Sequence, residues 1–178
     1  MRTPILTRRQ LLVVVSAALL AALAAAWPAS AQKKDYLTDA EADKIRDAET
    51  PSERIKLFIS FASDRVKKIQ FEFAHPNELH RAERINSLIN GYTGCIDDAA
   101  ELIELGLDKQ QDIRDAIKDM QDRAPEFLAY LKDLAAKGQT VAQYKDNLDD
   151  AIQATMDAMR EADEAGKDIA PPPVRRKP

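Results

Sequence analysis

The Glu72-x-x-His75 spacing is the pattern in this chain with the clearest potential for metal chemistry. One helical turn separates the two residues, so a helix would present a carboxylate and an imidazole together to iron or manganese. Bundles that bind two such metals repeat the motif on a second helix, but the other histidine, His80, lies only two residues after Glu78. The sequence therefore predicts no metal site and no cofactor. A metal or cofactor carrier, with a site inside or at the end of a helical bundle and with Glu72 and His75 as ligands, is retained as the alternative.

The other reactive side chains do not form a catalytic arrangement along the sequence. Cys95 is the only cysteine, which excludes an intramolecular disulfide and a zinc site built from cysteines. It falls on an apolar helical stripe, where a thiol is inert, and pairing between two chains would require it to be accessible. Because no nucleophile lies beside acid–base groups, the sequence predicts a protein that is not an enzyme.

Three apolar residues of the first long helix indicate a different kind of site. At about 100° per residue, Leu57, Phe61 and Phe71 lie roughly opposite the main apolar stripe of that helix. Two phenylalanines exposed to water on a lone bundle would require an explanation. Either a short preceding helix that contains Leu37, Ile45 and Ala48 folds over them, or the face binds a homodimer partner or another protein.

These candidate residues are positioned by segments whose apolar residues recur every three or four positions, a spacing typical of amphipathic helices. The four long stripes run from Ile55 to Phe73, from Ile85 to Leu102, from Ile113 to Leu134 and from Val141 to Ala162. Charged residues fill the other faces. Only the first of the four helices is expected to have a second apolar face.

The predicted helix boundaries agree with these stripes. Thr50–Glu53 has the sequence of a capping box with proline at the first helical position, and Thr38–Glu41 repeats this pattern before a short leading helix. Pro76, Gly106 and Gly138 separate the long helices. Because the links contain only a few residues, neighbouring helices are expected to run antiparallel. The predicted fold is all-α, an antiparallel up-down-up-down four-helix bundle with a short extra N-terminal helix.

Two local interruptions lie within the predicted long helices. Asn90-Gly91 is typical of a turn, and Pro125 is typical of a helix end. The apolar spacing continues across both without a shift, so we expect the helices to continue through them, weakened or kinked. The bundle domain is predicted to span residues 32–168.

The first 31 residues predict export. Arg8 and Arg9 precede an apolar run from Leu11 to Trp27, and Ala29-Ser30-Ala31 supplies small residues for cleavage. We therefore predict a cleavable signal peptide over residues 1–31 and a periplasmic or extracellular mature protein with no membrane span after cleavage. The arginine pair resembles a twin-arginine signal, but the long apolar run favours Sec export.

Charge and composition narrow the possible partners. The chain carries 26 Lys+Arg against 30 Asp+Glu, a net charge of −4, and this acidic balance argues against nucleic acid as a partner. Residues 169–178 combine Pro171-Pro172-Pro173 with Arg175-Arg176-Lys177, which predicts a disordered, Pro-rich basic tail. The sequence thus predicts an exported, non-catalytic helical bundle that binds a protein partner or forms a homodimer. Its candidate partner-binding residues are Leu57, Phe61 and Phe71.

Overall fold

The computed structural model describes residues 36–76 and 79–168, without the side chains of residues 139 and 140. The predicted signal peptide, residues 1–31, and the predicted basic tail, residues 169–178, lie outside the described residues. Within the described part the chain forms α-helices and one 3₁₀ segment and contains no strand, which confirms the all-α class. None of these described helices has both the length and the hydrophobicity needed to cross a bilayer.

The described residues form one short and four long α-helices. They are α1 (Asp39–Asp47), α2 (Pro51–Ala74), α3 (Arg81–Asp108), α4 (Arg114–Ala135) and α5 (Lys145–Asp168), with a 3₁₀ segment (Gly138–Tyr144) before α5. Both predicted capping boxes are confirmed, because Thr38 and Thr50 accept hydrogen bonds from the backbone of Glu41 and Glu53. The two glutamates accept hydrogen bonds from the cap N–H groups in return. These bonds satisfy donors that every helix start leaves open.

The two interruptions within the sequence pattern do not end a helix. The α3 helix continues through Asn90-Gly91, and α4 continues through Pro125, as expected from the unbroken apolar spacing. The start of the fourth stripe differs from the prediction. Val141 and Tyr144 are buried but belong to the 3₁₀ segment, so α5 begins only at Lys145.

The core lies between the four long helices. The α2 helix packs on α3, α3 packs on α5, α5 packs on α4, and α4 packs on α2. Beside the predicted stripe of α3, Ile89, Ile96 and Ile103 form a further, fully buried row that widens its apolar face.

Candidate functional site

The three predicted partner-binding residues of α2 lie in different environments. Phe61 is only 4% exposed, Leu57 is half-buried against the core, and Phe71 is 60% exposed. Ten residues of helix separate Phe61 from Phe71, which rotates one about 80° from the other around the helix axis. Phe61 therefore turns toward the core while Phe71 faces solvent, and the three residues do not form one surface patch.

A buried ion pair fastens the short leading helix to the side of α2 that contains Phe61. Arg65, one turn after Phe61, is 5% exposed, and its guanidinium lies 5.9 Å from the centre of the Phe61 ring. Its Nη1 donates to Oε1 of Glu41, and its Nη2 donates to Oε2 at 2.7 Å. Nη2 also donates to the carbonyl oxygen of Tyr36 at 3.0 Å. We call residues 36–47 the N-terminal strap.

Two glycines of α3 allow the N-terminal strap to approach closely. A Cβ atom added at Gly94 would lie 2.7 Å from ring atoms of Tyr36, and one added at Gly91 would contact Arg65. A larger residue at position 94 would therefore displace the ring of Tyr36. Cys95, the next residue, is fully buried, so its thiol is not accessible for pairing between chains.

The ion pair determines the ionisation of Glu41. The hydrogen bonds from Arg65 hold the pKa of the Glu41 carboxyl at about 2, below its ordinary value of 4.5, although burial acts in the opposite direction. A carboxyl group whose pKa is lowered by folding stabilises the protein above its unfolded-state pKa. This stability is lost as the pH falls toward the folded-state pKa.

We expect this contribution to be complete above about pH 5.5 and to decrease by about 2 kcal/mol by pH 3. The measurement is urea unfolding of the wild-type protein and of Glu41→Gln at pH 6 and pH 3. The variant lacks the titrating carboxyl, so the difference between the two proteins should shrink by that amount at pH 3. A difference that stays constant between the two pH values would contradict the lowered pKa.

The α2 and α3 helices also form an open groove next to the N-terminal strap. This α2–α3 groove has a volume of about 740 Å³, and its apolar lining comes from Phe71 and Leu88. The ring of Phe71 stacks on that of His75 with 4.3 Å between the ring centres. The polar lining consists of Lys67, Lys68, Glu72, Glu83, Arg84 and Ser87.

Two of the charged residues that line the α2–α3 groove, Arg84 and Glu72, are paired with each other. Arg84 donates from Nε and Nη2 to the two carboxylate oxygens of Glu72, both at 2.9 Å, and this contact lowers the pKa of Glu72. Glu83 lies 3.0 Å from the Nδ1 atom of His80. Lys68 has no ion-pair partner among the residues that the structure describes.

The Lys67 ammonium has only a weak acidic neighbour. Its nitrogen lies 3.7 Å from a carboxylate oxygen of Asp64, and both side chains are largely exposed. An exposed pair at this distance contributes little binding energy and leaves the ammonium available to a ligand. Lys67 and Lys68 are therefore the available cations of the groove, whereas Glu83 is an exposed carboxylate on its lining.

Glu72 and His75 engage in separate contacts instead of sharing a site. The carboxylate of Glu72 is held by Arg84, while the Nδ1 atom of His75 lies 3.2 Å from the carbonyl oxygen of Phe71. Among the described residues, no group of three or more His, Cys, Asp or Glu side chains is arranged to hold a metal ion.

A cluster of buried side chains lies in the interior, at the middle of the helices. The Tyr92 and Thr155 hydroxyl oxygens lie 2.7 Å apart, and Thr155 donates to the carbonyl oxygen of Ala151 at 2.6 Å. The Thr155 proton is thereby used, so Tyr92 is the donor of the other bond. The ring of Tyr92 packs edge-on against Phe127 with 5.9 Å between the ring centres. This cluster connects three helices through the core.

Reasoning from the sequence missed Arg65 and the two lysines as parts of a site. Leu57, Phe61 and Arg65 follow one another at intervals of four residues. The sequence alone could therefore have placed Arg65 on the second face of the helix. Lys67 and Lys68 lie four and three residues before Phe71, where a helix brings side chains together. Neither spacing reveals which helix packs against these residues.

Comparisons of the chain with protein-family models, with curated proteins and with solved structures found no match.

Proposed function

We propose that this chain is an exported, non-catalytic helical-bundle protein that binds a protein partner in the cell envelope through the α2–α3 groove. The supporting observation is Phe71, a large apolar side chain that is 60% exposed and lines a groove between two helices. Exposed aromatic side chains at concave surfaces are frequent anchors of protein interfaces. A groove between two helices suits the apolar face of a partner helix.

The scaffold in this proposal is a four-helix bundle in which the chain direction alternates from one long helix to the next. When two helices are antiparallel, a residue later in the first helix contacts a residue earlier in the second. Contacts of this kind are Glu72–Arg84 and Arg65–Gly91 between α2 and α3, and Gln121–Asp163 and Ile117–Gly166 between α4 and α5. Between α3 and α5, a later residue of one helix contacts a later residue of the other, as in Asn86–Asn147 and Tyr92–Thr155. These contacts support a parallel pair.

The proposed interface predicts a site-specific cross-link. Phe71 is replaced by the photo-reactive residue benzoylphenylalanine in the cells that produce the protein. After irradiation, we expect one cross-linked adduct of discrete mass in the envelope fraction. Leu88→Ser, on the opposite wall of the groove, is expected to reduce this adduct at least about 5-fold by removing apolar contact area. The yield is measured by immunoblotting and the partner is identified by mass spectrometry.

The matched control places the same photo-reactive residue at Met156 of α5, which is 44% exposed and is not among the residues that line the groove. The adduct should be absent there. The same adducts from both positions, or an adduct from position 71 that does not depend on Leu88, would count against the proposed interface.

A further inference from the structure

We propose that the α2–α3 groove binds an acidic, amphipathic helix of a protein partner. In this arrangement, acidic side chains of the helix meet Lys67 and Lys68, and an apolar side chain packs on Phe71. This inference rests on the proposed function and adds the chemistry of the partner.

The charge balance of the groove favours an acidic ligand. Three cationic and two acidic residues line it, in a chain whose overall net charge is −4. Arg84 and Glu72 neutralise each other, whereas Lys67 and Lys68 retain available charges. On a helix, both lysines lie within about one turn of Phe71, so one short ligand segment can contact all three. Opposite charges across an interface speed association and fix the orientation of the partner.

The neighbouring part of the crevice between α2 and α3 already holds a segment of this chemistry. Within the N-terminal strap, Glu41 binds the cation of Arg65, and the ring of Tyr36 packs against Gly94 of α3. Lys68 lies three residues after Arg65 in α2, closer to the link between α2 and α3. A segment with a carboxylate and an apolar side chain placed there would therefore meet Lys68, the next cation on this side of α2.

The terminal segments of this chain carry the wrong charge for the groove. Lys33 and Lys34 precede the described residues, and Arg175, Arg176 and Lys177 follow them. Like charges brought next to Lys67 and Lys68 would repel one another. Charge thus favours a ligand from another molecule.

A protein helix fits this surface better than an anionic membrane does. The side chain of Glu83, on the lining of the groove, is 79% exposed and would repel a uniformly anionic surface. A helix can place its acidic residues over the two lysines only and leave Glu83 in water. The concave shape between two helices also favours an inserted segment over a flat surface.

The test uses two synthetic peptides of about 18 residues, long enough to form a helix. The acidic peptide has leucine and alanine on one face and glutamate on the other, and the basic peptide has lysine in place of every glutamate. Binding to the full chain is followed by fluorescence anisotropy. We expect the acidic peptide to bind at least about 10-fold more tightly than the basic one, and we expect added salt to reduce this difference.

Two double variants test the role of the lysines. Lys67→Glu/Lys68→Glu should weaken binding of the acidic peptide at least about 10-fold and remove the preference for it. Lys132→Glu/Lys137→Glu changes the net charge equally at exposed positions outside the groove and should alter the affinity less than about 2-fold. An equal loss in both double variants would overturn the inference, because a general charge effect would explain it.

Other results would also overturn the inference. With the peptides, these results are equal or tighter binding of the basic peptide and no binding of either peptide. Binding to phosphatidylglycerol vesicles that depends on the two lysines, without peptide binding, would indicate a membrane ligand. A dimer in analytical ultracentrifugation that depends on the two lysines would indicate a second copy of this chain as the ligand. The variant Phe71→Ser distinguishes failure of the proposed function from failure of the inferred partner chemistry. If it leaves the affinity for the acidic peptide unchanged, the proposed function fails. If peptide binding depends on Phe71 but not on the lysines, only the partner chemistry fails.

Discussion

Phe61→Ser is expected to lower the free energy of unfolding by about 4 kcal/mol, the range measured when a buried phenylalanine is truncated. Phe61 is almost completely buried beside Arg65, so the substitution leaves a cavity in a closely packed region. It also buries a hydroxyl group in place of an apolar ring, which adds a desolvation cost. Urea unfolding followed by circular dichroism measures this change through the unfolding midpoint.

Phe71→Ser is the matched control on the same helix. Because Phe71 is exposed, the same substitution there should change the free energy of unfolding by less than about 0.5 kcal/mol. An equally large loss for both variants would indicate that Phe71 is also core and would remove the basis of the proposed groove. A negligible effect of Phe61→Ser would contradict the burial of Phe61.

Arg65→Met is expected to lower the free energy of unfolding by about 3 kcal/mol, because it leaves the Glu41 carboxylate without its cation. The Glu41 side chain is only 14% exposed, so water replaces the lost contact incompletely. The N-terminal strap should loosen as well, because Arg65 also holds the carbonyl of Tyr36. Urea unfolding measures the stability, and hydrogen exchange is expected to accelerate in residues 36–47 more than in the long helices.

Two comparisons isolate the ion pair. Arg123→Met removes an Arg–Asp pair of similar hydrogen-bond length on the surface of α4, where a loss of less than about 1 kcal/mol is expected. Combining Arg65→Met with Glu41→Leu removes both charges and should recover part of the stability lost in Arg65→Met alone. A double variant as unstable as the sum of its single variants would contradict a direct interaction between the two residues.

Much of the helical architecture was predictable because it depends on neighbours in the sequence. A capping box needs only Thr50 and Glu53 within one turn, and an apolar period needs only residues three and four apart. The same local regularity correctly predicted that α4 continues through Pro125. The short 3₁₀ segment before α5 was missed, because Val141 and Tyr144 continue the apolar spacing without belonging to that α-helix.

The candidate site was predictable only in part. Phe71 was identified from its position opposite the main stripe of α2, whereas Phe61 was grouped with it although it is buried. Helical angles place both residues away from the centre of the stripe, but they do not reveal what lies on each side of the helix. Phe61 is buried on the side of α2 where Arg65 binds Glu41. That contact joins residues 24 positions apart, so the local spacing does not reveal it.

The sequence by itself determined the all-α class, the helix caps and the apolar faces, because these follow from interactions within a few residues of each other. Only the tertiary structure decided that α3 is buried on two rows and that the N-terminal strap packs on Gly94. It also decided that the groove next to the strap exposes Phe71 beside two lysines with available charges. These features depend on which helices become neighbours, and neighbours are selected by the packing of distant side chains into one core.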